Sequence, residues 1–176
     1  ADQYISTQLQ LVEQLKELLK NPKDLTQAVT DLMEEKNQLL KDLEALNKEK
    51  AAGVKEELRA KLKSMGQVHV LIGQVSLPDA AALKQLAFEL RNEVSPLFMV
   101  LAANINGKPQ VAVMIAEELL EPYELHAGQL VKALAKNIQG GGGGQPFFAT
   151  AGGNNADGLP QVVAEAKALA EAKFQD

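Results

Sequence analysis

Cysteine and tryptophan are absent from the 176 residues, and aromatic side chains make up only 4 % of them. Without cysteine there are no disulfides and no thiolate metal sites. Nothing argues for a secreted compartment, and a cytoplasmic chain is the expectation. With so few aromatics, any sizeable core must be aliphatic. No apolar run approaches the roughly 18 residues that a membrane-crossing helix needs, so no membrane partner is expected. The chain opens on Ala1-Asp2-Gln3-Tyr4, with neither Met nor a signal-like segment. That reads as a start inside a helix, as in a piece cut from something longer. Histidine is scarce too. His69 falls on an expected strand and His126 at an expected helix start. Neither has the spacing or partners of a metal site or a Ser-His-Asp set, so each reads as a satisfied structural histidine. No catalytic residue and no metal ligand is assigned.

What is present divides into two regions. Residues 1–63 read as helix. Ile5, Leu9, Val12, Leu15, Leu18 and Leu19 recur at three- and four-residue spacings. This first helix stops at Asn21-Pro22, because proline cannot continue a helix and restricts the residue before it. Asp24 is placed to cap a second helix. That helix carries a heptad-like stripe of Leu25, Val29, Leu32, Leu39, Leu43 and Leu46, with Lys36 and Lys50 where the register wants apolar residues. Val54, Leu58 and Leu62 continue past Ala51-Ala52-Gly53. A helical glycine costs about 1 kcal/mol against alanine, which suggests a bend or a close backbone approach near Gly53. The second helix should run about 58 Å, about twice the first. A hairpin of the two leaves much of the longer stripe uncovered. Either the hairpin packs on its own domain, or the stripe meets a second copy in a homodimeric coiled-coil arm.

Residues 64–176 follow different rules. Val68, Val70 and Ile72 alternate as in a strand, Leu77-Pro78-Asp79 starts a helix, and Leu97 to Ala103 is an apolar run suited to a buried strand. A turn at Asn104-Ile105-Asn106-Gly107 returns the chain along Gln110 to Ala116, and His126 to Ile138 is an amphipathic helix. Five glycines, Gly140 to Gly144, precede the short run Pro146-Phe147-Phe148-Ala149-Thr150, and a last helix spans 160–174. The whole is α+β: a long helical hairpin, then a small α/β domain with a mixed sheet and a glycine-rich loop.

The glycine run carries the strongest local signal. A flexible linker would lie between domains, whereas this run has ordered patterning on both sides. A phosphate loop would have Lys and then Ser or Thr after its last glycine, but here Gln145-Pro146 follows. The run also follows a helix C-terminus, whose dipole repels phosphate. Side-chain-free backbone does suit close approach by a large partner, to which it offers exposed N–H groups. Lys132 and Lys136, four apart on the preceding helix, would place positive charge beside it, unless they simply form a solvated face.

At this point the residues resemble a known family. Ala127-Gly128-Gln129-Leu130-Val131-Lys132, the glycine run and Gln145-Pro146-Phe147-Phe148-Ala149-Thr150-Ala151-Gly152-Gly153 are similar to the C-terminal domain of bacterial alanyl-tRNA synthetases. The same module, the DHH-associated domain, also ends DHH-class phosphoesterases. The helical arm tips the choice toward the synthetases, and the resemblance covers nearly the whole chain. It implies a non-catalytic part of an alanine–tRNA ligase that contacts the elbow of tRNA(Ala), links aminoacylation to editing, and supports a homodimer. It further implies that Lys132, Lys136, Gly140, Gly141, Gly142, Gly143, Gly144, Gln145 and Gly153 contact tRNA. No cofactor and no small-molecule substrate is expected here, with ATP and zinc confined to other parts of the parent. Phe147 and Phe148 depart from the family, which commonly has polar or acidic residues there, and read as either core or stacking surface.

Charge resists this reading. Residues 64–176 hold seven Lys or Arg against eleven Asp or Glu, and residues 1–63 hold eleven against twelve. Nucleic-acid binders usually show a basic patch, so affinity must be local and its salt dependence shallow. Glu117, Glu118, Glu121 and Glu124 read as a solvated acidic edge. Neither the His/Cys zinc cluster of an editing domain nor the carboxylates of a DHH phosphoesterase are present. The alternatives to a tRNA-binding, dimerising appendage are a pure oligomerisation module and the substrate-holding tail of a DHH-class phosphoesterase.

Overall fold

A computed structural model describes residues 2–175. Helix α1 (Asp2–Leu18) ends before a reversal in which Lys20 and Asn21 take positive φ. Helix α2 (Leu25–Ala60) then runs for 36 residues, about 54 Å. Asp24 caps it as the sequence suggests, its carboxylate accepting the Gln27 N–H at 3.0 Å. The close backbone approach expected as one option near Gly53 is absent. The helix is continuous there, and a β-carbon on Gly53 would meet nothing within 4 Å. One glycine's propensity penalty is too small to break a helix of this length.

The chain forms two compact units, and the division falls after Leu46, inside α2 rather than at residue 63. The reason is packing. Leu58, near the end of α2, is fully buried with Leu71, Leu83 and Leu86, and Val54 and Leu62 pack against the same cluster. In the first unit both apolar stripes are largely uncovered, with only Leu19 and Leu25 of their residues half-buried. Leu9 is 62 % exposed, Leu32 53 % and Leu43 55 %.

The second unit is built on one mixed sheet. Its strands are β1 (Lys63–Met65), β2 (Val68–Val75), β3 (Leu97–Ile105), β4 (Lys108–Ile115), β5 (Gly141–Gly144) and β6 (Phe148–Gly152). Their spatial order is β1-β2-β3-β4-β6-β5, with β2 and β3 parallel and every other pair antiparallel. Helix α3 (Ala80–Glu93), capped by the Asp79 side chain, makes the parallel crossover. The β3–β4 hairpin turns at Asn106-Gly107, both at positive φ, so the turn is two residues rather than four. Helices α4 (Ala127–Leu134) and α5 (Leu159–Phe174) complete the domain.

Alternation along the strands builds two cores. Val70, Phe98, Val100, Val113 and Ala149 face α4 and α5, where Phe174 closes edge-on against Phe98 and Tyr123. Leu71, Met99, Leu101, Ala112 and Met114 face α3 and the end of α2. Both faces of the central strands are therefore covered, which is why β3 reads as an unbroken apolar run. No buried polar or charged side chain occurs among the described residues, so the core they form is apolar and largely aliphatic.

Candidate nucleic-acid interface

The glycine-rich segment expected as a loop is strand β5, at the edge of the sheet. Its route there is set by α4. His126 caps that helix, its Nδ1 accepting the N–H groups of Gly128 and, at longer range, Gln129. Gly128 sits beneath the edge strand, where a β-carbon would stand 3.0 Å from the Gly144 carbonyl oxygen. Thus the Ala-Gly at the helix start and the glycine run belong to one packing contact, a relation that spacing alone does not reveal. Regular helix ends at Leu134, not Ile138. Four successive i→i−3 bonds, from Lys136 to Gln139, tighten the chain before Gln139 turns it at positive φ.

From there Gly141 to Gly144 pair antiparallel with Gly152 to Ala149, and Gln145 N–H donates to the Phe148 carbonyl at 2.8 Å to close the hairpin. The strand can be this close to β6 only because it is bare. A β-carbon on Gly142 would lie 2.2 Å from the Thr150 carbonyl oxygen. Gly141 is different, since a β-carbon there would meet nothing within 4 Å. At Gly143 the nearest neighbour would be Lys132 Cε, at 3.8 Å. Packing thus explains glycine at 140, 142 and 144, each of which a β-carbon would drive into β6 or the Gly152-Gly153 backbone, and leaves it unexplained at 141 and 143. Backbone bonds alternate along an antiparallel pair, so an edge strand turns one row of N–H and C=O groups outward.

The expected contact residues gather unevenly. Gly140 to Gly144 and Gln145 form one exposed to half-exposed strip, with the Gly140 N–H held by the Ala135 carbonyl at 2.9 Å. Lys132 reaches the strip from α4. Lys136 lies beyond the helix in the tightened turn, so the two lysines do not share a helical face. Both are exposed, and neither forms an ion pair with any described residue. Gly153 is half-buried, its N–H donating to the Pro109 carbonyl at 3.0 Å. Phe147 and Phe148 pack against the α3-side core. Phe148 lies 4.9 Å from Phe88 and Phe147 lies under Arg91 at 5.2 Å, so neither is a free stacking platform.

The acidic edge lies at the Phe147 end. Glu117 pairs with Arg91 at 2.9 Å, and Glu118 accepts the Ser95 hydroxyl at 2.8 Å. A backbone hydrogen bond within Glu118, followed by that hydroxyl, holds its carboxyl below the usual carboxylate range. His69 meets the Ser64 hydroxyl at 3.3 Å. Among the described residues no three His, Asp or Glu side chains are placed to hold a metal ion, and no helix is long and apolar enough to cross a membrane.

Comparison with known proteins fits this geometry. Residues 67–172 match the DHHA1 domain family. An alanine–tRNA ligase of Cytophaga hutchinsonii is 40 % identical over 96 % of this chain, and one of Christiangramia forsetii is 43 % identical over the same share. The chain spans only 19 % of the length of each of these relatives. Among solved structures, the C-Ala domain of Aquifex aeolicus alanyl-tRNA synthetase superimposes with a TM-score of 0.55 at 23 % identity, over 62 % of this chain and 96 % of that one. That likeness concerns the fold. A six-stranded mixed sheet edged by a bare glycine strand, within a chain similar throughout to ligases of one kind, settles the assignment. The chain belongs to the DHHA1 domain family, in the form similar to the C-terminal region of alanyl-tRNA synthetases.

Proposed function

We propose that this chain is a non-catalytic tRNA-holding region of an alanine–tRNA ligase. The glycine edge and Lys132 meet the outer corner of tRNA(Ala), so that one bound tRNA serves both aminoacylation and editing elsewhere in the parent. ATP and zinc belong to those other parts. The observation that carries the reading is the bare strand itself. The fold requires glycine at positions 140, 142 and 144 but leaves room for a side chain at 141 and 143. An exposed stretch kept free of side chains beyond what packing requires suits a partner that presses against backbone. Lys132 and Lys136, exposed and without carboxylate partners among the described residues, supply the only charge the reading assigns there. Two phosphate contacts give modest affinity and a shallow salt slope, as an auxiliary holder needs. Replacing both lysines by Glu tests this. Binding of a tRNA(Ala) transcript should fall by at least about tenfold at low salt, and unchanged binding would sink the reading.

The arm supports a second role for the same chain. Val29, Leu32, Leu39, Leu43 and Leu46 are all exposed and Leu25 is half-buried, leaving a heptad-like stripe of α2 open. A second copy packing along that stripe makes the homodimer. A pure oligomerisation module would need the stripe but not the bare edge. The lysine substitutions separate the two, since they leave a dimer contact untouched.

A further inference from the structure

The sheet register extends the glycine edge onto its neighbours. Gly143 pairs with Thr150, and Thr150 pairs with the buried Ala112 of β4. One step along, Gly141 pairs with Gly152 and Gly152 with Gln110. Side chains alternate along a strand. Thr150 therefore shares a face with Phe148, and Gln110 shares it with Ala112 and Met114, which is the α3 side. Helix α3 covers that face at Phe148, through Phe88. It does not reach Thr150, which is exposed, and Gln110 keeps partial exposure. The Gln110 carboxamide lies over Gly152, its Nε2 2.9 Å from where a β-carbon would stand. Neither the Thr150 hydroxyl nor the Gln110 carboxamide makes a hydrogen bond with any described residue. In a domain with no buried polar side chain among the described residues, two uncommitted polar groups stand together on an open sheet face beside the bare strand.

We propose that Thr150 and Gln110 are further RNA-contacting residues, and that they read ribose rather than phosphate. This rests on the tRNA reading above and deepens it. The chemistry follows from charge. With few cations nearby, phosphate attraction is limited, and the remaining contact energy must come from neutral hydrogen bonds. A 2′-hydroxyl both donates and accepts, and is what distinguishes RNA from DNA at a given site. A threonine hydroxyl and a glutamine carboxamide also do both. Neighbouring Gly152 and Gly141 add no side chain to hold a sugar away from them.

The test compares Thr150→Val and Gln110→Met, which keep shape, with the unaltered chain, using a tRNA(Ala) transcript and the same transcript with 2′-deoxy nucleotides through the elbow. Each substitution should weaken binding to the ribose transcript by about fivefold, the worth of one net hydrogen bond. The unaltered chain should prefer ribose over deoxyribose, and the double variant should bind the two alike. Thr150→Ser, which restores the hydroxyl, should bind as the parent does, which guards against a merely structural effect of the valine. Normal binding by both variants, with Lys132→Glu still weakening it, overturns this inference and leaves the tRNA reading standing. So does a sugar preference that survives in the double variant. If the unaltered chain binds neither transcript, the tRNA reading itself fails and this inference with it.

Discussion

Gly142 approaches strand β6 so closely that a β-carbon on it would stand 2.2 Å from the carbonyl oxygen of Thr150, while its neighbour Gly141 faces open space. Two adjacent residues of identical chemistry thus have opposite structural status. Gly142→Ala must push the edge strand off its partner and should lower stability by about 1–3 kcal/mol. Gly141→Ala should change it by less than about 0.5 kcal/mol. Urea denaturation of the two variants measures this, and equal effects would mean that the close approach does not exist.

The same pair separates folding from binding. Gly141→Val adds bulk to the outer surface without a clash inside the domain. It should leave the urea midpoint within error and yet weaken tRNA binding, read by fluorescence anisotropy. Retained affinity in a folded Gly141→Val chain would show that RNA does not press on the strand.

Leu58 belongs by sequence to the long helix and by packing to the sheet domain, where it is fully buried. Leu58→Ala should cost about 2–5 kcal/mol. Leu43→Ala, on the exposed stripe, should cost the monomer little. Sedimentation should instead show that Leu39→Lys with Leu43→Lys shifts any dimer to monomer. A parent chain that is monomeric at high concentration would refute the proposed dimer contact.

Four charges fasten the end of α2 to α3. Lys55 reaches Glu89 at 3.0 Å and Glu93 at 2.6 Å, and Arg59 pairs with Glu93 and Glu56. Hydrogen bonds from Lys55 and then Arg59 hold the Glu93 carboxyl below the usual range. Those from Gln85 and then Lys55 do the same for Glu89. A carboxyl depressed in the folded state contributes stability above its unfolded pKa and loses it as pH falls through the folded one. Glu93→Gln should therefore be less stable than the parent at pH 7, with the difference shrinking below about pH 4. Because the cluster is solvent-exposed, the difference should also shrink in high salt. A gap that stays constant from pH 7 to pH 3 would show that the ion pairs contribute nothing.

Features that depend on local chemistry and periodicity are legible in the residues alone. Asn21-Pro22 and Asp24 set the break between the helices, Asp79 the start of α3, and alternation at Val68, Val70 and Ile72 a strand. The charge balance made any RNA contact local. These follow from backbone restriction, capping and side-chain period, all short-range. The remaining features come from long-range packing. Nothing local marks Gly141 to Gly144 as strand, since glycine has no strand preference and becomes an edge only when β6 supplies partners. Gly53 suggested a bend or a close backbone approach, and the continuous 36-residue helix leaves open space beside it. Thr150 and Gln110 stand 40 residues apart in the chain, and only the register of β4 on β6 puts them on one face. Long-range pairing has no signature in spacing, because which strand lies beside which is settled by the core that both faces of the sheet can bury together.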